Sequence, residues 1–185
     1  MSALNKNGSQ TIREACAGHR PYWYSLNPKR AHIITAINPY ERFFFTFAKE
    51  PFVIDQRLIA MQVQDGYDVE LIAALLNSVI TFLILEMRGT SRNLGALDLN
   101  ADFLKQLKML NPNLLNKEKV DAIISAFRPI KNRSINSVIE EVARTDRRKF
   151  DTEILRCFGL DEKLLDNLYN ILIGVVNDRI SMPKR

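Results

Sequence analysis

The chain has 185 residues, 46% hydrophobic and 25% charged, the balance of a sequence that buries a core rather than one that stays unfolded. Its formal net charge is +5 and its pI about 9.3, an excess that suits a polyanionic partner without requiring one. The longest apolar run, Val79 to Leu85, falls short of the roughly 20 residues a membrane-spanning helix needs, and the opening from Met1 to Gln10 carries no signal-peptide core, so a cytoplasmic protein with no membrane partner is expected.

Residues 1–19 read as a lead-in without a sustained period. Tyr22-Trp23-Tyr24 then opens a series of short extended segments separated by turn signals. His32 to Ile37 is β-branched and apolar, and Asn38-Pro39 stops it. Arg42 to Ala48 is aromatic-rich, with Glu50-Pro51 as its break. Phe52 to Val63 is again strand-like and ends at Asp65-Gly66. A mostly antiparallel sheet follows from these segments.

At Asp68 the period changes. Leu71, Leu75, Leu76, Val79, Ile80 and Leu83 recur at three- and four-residue steps, predicting one helix from an Asp68 cap to a Gly89 stop. A polar loop, Arg88 to Gly95, precedes a short strand at Ala96–Leu99. A helix capped by Asn100 and a return to the sheet at Lys108–Leu110 complete this part. Beyond Asn111-Pro112 the pattern is helical: Lys117 to Phe127, stopped before Pro129; Ser137 to Phe158, with Val138, Val142, Ile154, Leu155 and Phe158 as candidate buried positions, ended by Gly159; and a last helix from Asp161 carrying Leu164, Leu165, Leu168, Tyr169, Leu172, Val175 and Val176. The expected fold class is α+β: a small, mostly antiparallel sheet with packed helices, then a C-terminal helical tail. The expected organisation is a lead-in at 1–19, a recognition domain at 20–112 and a helical segment at 113–185.

Cys16 and Cys157 stand far apart with no cysteine or histidine at metal-ligand spacing, so two free thiols are expected. His19 and His32 belong to no catalytic constellation. No nucleophile–base pair, metal cluster or phosphate loop appears, and no catalytic, metal or cofactor site is assigned to the chain.

Residues 22–112 resemble the target recognition domain of TaqI-type and related restriction–modification adenine-specific DNA methyltransferases. The resemblance rests on an ordered set covering about half the chain: Trp23-Tyr24, Ile33-Ile34 leading to Asn38-Pro39, Arg42 with its aromatic strand, Phe52-Val53-Ile54, Leu75-Leu76-Asn77-Ser78, a glycine-containing loop, and Leu97 to Leu110. The tail, with Phe158-Gly159-Leu160 and a helix ending near Arg179, resembles the C-terminus of such enzymes. In that family a separate domain binds S-adenosylmethionine and carries an Asn-Pro-Pro-Tyr-like tetrapeptide. Here Asn38-Pro39-Tyr40 lacks the second proline and any upstream glycine-rich cofactor loop, and is read as a turn.

The resemblance implies a recognition fragment or subunit, with double-stranded DNA and a methyltransferase catalytic domain or subunit as partners and S-adenosylmethionine confined to the parent enzyme. Base edges in the major groove call for Arg, Lys, Asn and Gln, and phosphates for Arg, Lys, Ser and Thr. The DNA-contact candidates are therefore Arg88, Thr90, Ser91, Arg92 and Asn93 in the loop; Lys29 and Arg30; Tyr40 and Arg42; and Arg147 and Arg148 on the tail. Arg92 is expected to read bases, and Arg147 and Arg148 to meet only phosphates. A solvated loop or helix face is the bland reading of each set. Phe43, Phe45 and Phe47 alternate on one face, which suits a core better than base stacking. The alternative function is a protein–protein module docking another restriction–modification subunit through the tail.

Overall fold

A computed structural model describes residues 12–18, 22, 30–54, 58–91 and 95–181. Trp23-Tyr24, Lys29, Arg92 and Asn93 lie outside the described residues. Within the lead-in, α1 (Ile12–Ala15) is a single helical turn. The fold class is α+β. Strands β1 (Arg30–Ala36), β2 (Thr46–Val53) and β3 (Leu58–Met61) form an antiparallel sheet in the order β2-β1-β3. Alternation along β1 sends Ala31, Ile33 and Thr35 into the core.

Pro51 does not break the chain, contrary to expectation: it lies inside β2. An edge strand tolerates proline because its outward N–H needs no ladder partner. The pairing passes from Ala31↔Phe52 to Ile33↔Phe47, so β2 carries extra residues, Ala48 to Pro51, in an irregularity of the ladder. The stretch from Arg42 to Phe45 is not strand either. There the Asn77 side chain takes the place of a neighbouring strand, accepting from Phe45 N at 3.1 Å and donating to Phe45 O at 2.9 Å.

The predicted single helix over 68–89 is two, α2 (Val69–Leu76) and α3 (Val79–Arg88), bent by 58°. Asp68 caps the first as expected, accepting from Leu71 N at 2.9 Å, and Gly89 follows the second. At the break Ser78 turns its hydroxyl on Leu75 O at 2.7 Å and accepts from Thr81 N at 3.3 Å, capping α3. Both helices send apolar residues into the same core, so the periodicity runs through the bend without marking it.

Strands β4 (Thr90–Ser91) and β5 (Leu97–Asp98) form a two-stranded antiparallel sheet. The helix α4 (Ala101–Lys105) is capped by Asn100. Lys108–Leu110 form no strand. After a 3-10 turn at Pro112–Leu114, α5 (Lys117–Lys131) continues through Pro129, held as a helix by buried Ile123, Phe127 and Ile130 on one face. The predicted helix over 137–158 is α6 (Val138–Val142), opened by a Ser137–Glu140 capping box, and α7 (Thr145–Cys157). Phe158, expected inside, is only partly buried. Helix α8 (Leu164–Ile180) comes last.

One core joins the parts on either side of Pro112. Ile33 and Phe45, Leu75 and Val79, Phe127, Phe150 and Ile154, and Leu172 and Val176 belong to a single buried cluster. Helix α8 packs on α3, and α5 packs on both α2 and α7. No single helix among the described residues is long and apolar enough to cross a membrane.

Candidate nucleic-acid interface

Two of the predicted contact sets meet in space. The segment after β1 runs beside β5: Leu97 N donates to Pro39 O, and Leu99 N to Ile37 O, both at 2.9 Å. Asn38 Nδ2 reaches Asp98 Oδ1 at 3.2 Å. Tyr40 therefore lies next to the hairpin that Arg88 leads into and that Thr90 and Ser91 begin, while Arg42 stands toward the start of α6, where Glu41 O accepts from Val138 N and the Arg42 charge acts on Glu140. All five are exposed. Asn38 Nδ2 and Pro39 O are thus both engaged with β5.

The glycines flanking the hairpin loop accommodate the protein's own elements. A Cβ on Gly89 would lie 2.6 Å from Leu85 O and from a methyl of Leu97. Gly95 has φ +75° and sits against the end of α8, where a Cβ would come 2.9 Å from Arg179 O. The close approach that these two glycines permit is to β5 and α8.

Arg179 fastens this corner. Its Nε donates to Glu86 Oε2 at 2.9 Å, one Nη to Tyr40 O at 2.6 Å, and the other to Gly95 O. Both side chains of the Arg179–Glu86 pair are almost wholly buried, at 4% and 2% exposure. One planar guanidinium thus ties α8 to α3, to the segment after β1 and to the far end of the loop. Sequence reasoning overlooked Arg179 and Glu86. A signal existed: Leu165, Tyr169, Leu172, Val176 and Arg179 share one helical face, and a charge on a buried face demands a partner.

The remaining candidates lie elsewhere. Arg30 opens β1, at the end of the strand opposite Asn38-Pro39, roughly 20 Å away at the rise of an extended strand. Arg148 donates to Asp166 at 2.5 Å and covers the Tyr169 ring, near the start of α8 rather than its Arg179 end. Arg147 is a correction: it is 2% exposed and unavailable to a phosphate. It pairs with Asp151 at 2.7 Å and stacks 4.7 Å from the centroid of Phe82. The alternating aromatics are also core, with Phe43 5.3 Å from Phe82 and Phe47 6.3 Å from Phe127.

The arginines divide by what they already hold. Arg133, Arg144, Arg147, Arg148, Arg156 and Arg179 are all in ion pairs. Arg13, Arg30, Arg42, Arg88 and Arg128 are exposed and form no ion pair with a described residue, although the Arg42 charge acts on Glu140. No family model, curated protein or solved structure matches this chain. What the corner can do is therefore argued from its own chemistry. It presents the Arg88 guanidinium, two small hydroxyls and a phenol on a rim whose backbone is fixed from behind by a buried arginine.

Proposed function

We propose that the chain is the DNA-sequence-reading module, as a fragment or a subunit, of an adenine-specific DNA methyltransferase of a restriction–modification system. Two things support this: the ordered resemblance of residues 22–112, and the convergence of Tyr40, Arg88, Thr90 and Ser91 on one rim, with Arg42 exposed two residues further on. The observation that carries it is the place of Arg88 on that rim beside Tyr40, Thr90 and Ser91, exposed and in no ion pair with a described residue. Free guanidinium groups can take phosphates or guanine edges bidentately. On this reading Arg92, in the loop between β4 and β5, contributes base contacts. On this reading S-adenosylmethionine and the adenine belong to a separate catalytic domain or subunit, since Asn38-Pro39-Tyr40 lacks the second proline and any upstream glycine-rich cofactor loop.

The test is titration of labelled duplex DNA, carrying a library of sites, with the chain joined to its catalytic partner at several salt concentrations. Arg42→Ala and Arg88→Ala are expected to lower the slope of log affinity against log salt by about one each if they neutralise phosphates. A base-reading role instead relaxes preference at one position, at a cost of about 1–3 kcal/mol. Arg148→Ala should change neither. Binding that is insensitive to salt, to Arg42 and to Arg88 alike would end this reading.

A further inference from the structure

Arg179 lies about one turn beyond the last apolar residue that docks α8. Leu165, Tyr169, Leu172 and Val176 are already buried, and the helix packs on α3. A charged pair inside a protein adds little stability over apolar groups of the same shape, because desolvation offsets the attraction. Holding α8 in place therefore does not account for the Arg179–Glu86 pair.

What the pair does hold is main chain. Glu86 fixes the guanidinium on one side, accepting from Nε at 2.9 Å and from one Nη at 2.7 Å. The centre of the plane lies 6.0 Å from the Phe43 ring. With the fork fixed in this way, its other bonds go to two carbonyls, Tyr40 O at 2.6 Å and Gly95 O. One belongs to the segment after β1, the other to the far end of the loop that follows β4.

Gly95 shows how closely these parts meet. A Cβ there would come 2.9 Å from both Arg179 O and Ile180 Cα, and 3.2 Å from Tyr40 Cε2. Tyr40, Gly95 and the end of α8 leave no room for a methyl group between them. The spacing of Tyr40 from the loop is thus set by main-chain contact and by one buried fork, not by flexible side chains.

Reading a base edge tolerates little displacement, and groups that do it are held within about 0.5 Å by the shell behind them. Arg179 is itself 4% exposed and can touch no DNA. We infer that Arg179, clamped by Glu86, is a positioning residue for sequence discrimination. It fixes Tyr40 against the loop that ends at Gly95, and so sets how sharply the rim tells one base pair from another, without adding to affinity for DNA in general. The inference rests on the DNA-reading role proposed for the rim.

Relative affinity separates this role from a merely structural one. A partly unfolded variant binds every duplex more weakly by the same factor, so the ratio of its affinities does not move. The probe is a pool of labelled duplexes with a randomised centre, titrated with the full chain joined to its catalytic partner. The preferred duplex and its single-base variants are then measured one by one. Arg179→Met combined with Glu86→Leu removes the clamp and both buried charges. Preference for the best duplex is expected to fall by about tenfold, the worth of roughly one base contact, with the slope of log affinity against log salt unchanged. Arg179→Lys keeps a counter-charge for Glu86 and serves if the double variant does not fold. The same fall is expected there, because an ammonium lacks the planar fork that spans Glu86 and both carbonyls. An unchanged ratio overturns the inference while the DNA-reading role stands. So does a reduced salt slope, which would assign Arg179 to phosphate contacts, or the failure of both variants to fold, which would make it a stability element. A wild-type chain with no preference among duplexes removes the DNA-reading role, and the inference with it.

Discussion

Arg147 Nε donates to Asp151 Oδ2 at 2.7 Å, with both side chains inside the protein at 3% and 0% exposure. Asp151 also accepts from Tyr169 OH at 2.9 Å and from Val79 N, at the start of α3, at 2.8 Å. One carboxylate thus joins α7, α8 and α3. Burial, with the Asp151 charge beside it, pushes the Tyr169 phenol well above its ordinary range, so it stays a donor. Arg147→Met is expected to cost about 3–5 kcal/mol, because it strands a buried carboxylate without its counter-charge. Urea unfolding measures this. A loss below about 1 kcal/mol, the usual ceiling for exposed pairs, would contradict the arrangement.

Asn77 makes every hydrogen bond its amide can direct inward: to Phe45 N and O, and to Ala73 O at 2.8 Å. Asn77→Ala leaves the Phe45 backbone unsatisfied in the core, and a loss of about 1–3 kcal/mol follows. Asn77→Asp removes the donor but keeps the acceptor, so it should also destabilise. Amide exchange at Phe45 should accelerate in both variants; if it stays at the wild-type rate, Asn77 is not what holds that strand lead-in.

Arg133 bridges Glu141 at 2.7 Å and Asp146 at 2.6 Å. Burial raises both carboxyls, but hydrogen bonds and charge from Arg133 outweigh it, aided by the backbone N–H groups of Asn136 and Arg147, and both end below their ordinary values of 4.5 and 3.8. The folded state therefore binds fewer protons than the unfolded state in that range, and stability rises with pH through it. The contribution is complete above the ordinary carboxylate values and is lost as pH falls through the depressed ones. Arg133→Met should flatten this acid limb of a stability-against-pH curve measured with denaturant. An unchanged limb would assign acid sensitivity to other groups.

Removing everything after Pro112 takes away the partners of Leu75, Val79 and Phe45 in the common core. A chain ending there is expected to lose cooperative unfolding, as seen by calorimetry. The idea fails if the shortened chain melts as sharply and as high as the whole.

Much of the fold was legible because caps and periodicities are local. Asp68, Asn100 and the Gly89 stop could be read directly, as could the burial of Val138, Val142, Ile154 and Leu155. What escaped depends on partners distant in sequence. The bend at Asn77-Ser78 is invisible to periodicity because both helices face one core; it needs Asp151 to accept from the freed Val79 N and Phe45 to occupy the Asn77 side chain. Pro51 and Pro129 were read as stops, yet an edge position and a firmly buried helix face accommodate them. Arg147 read as one of a basic run, because nothing in that run tells which arginine meets Asp151 and which meets solvent. At the candidate interface, the loop and the Tyr40–Arg42 segment were each found, but their meeting was not, since it runs through Leu97, Leu99 and Arg179.

The Arg179 knot also orders events in time. A chain leaves the ribosome N-terminus first, and Arg179 lies in α8, made after every other element described. Until it emerges, Glu86 has no counter-charge and the carbonyls of Tyr40 and Gly95 lack their shared donor. A nascent chain can build its sheet early, but the corner that joins Tyr40, Glu86 and Gly95 is fastened only once α8 has emerged.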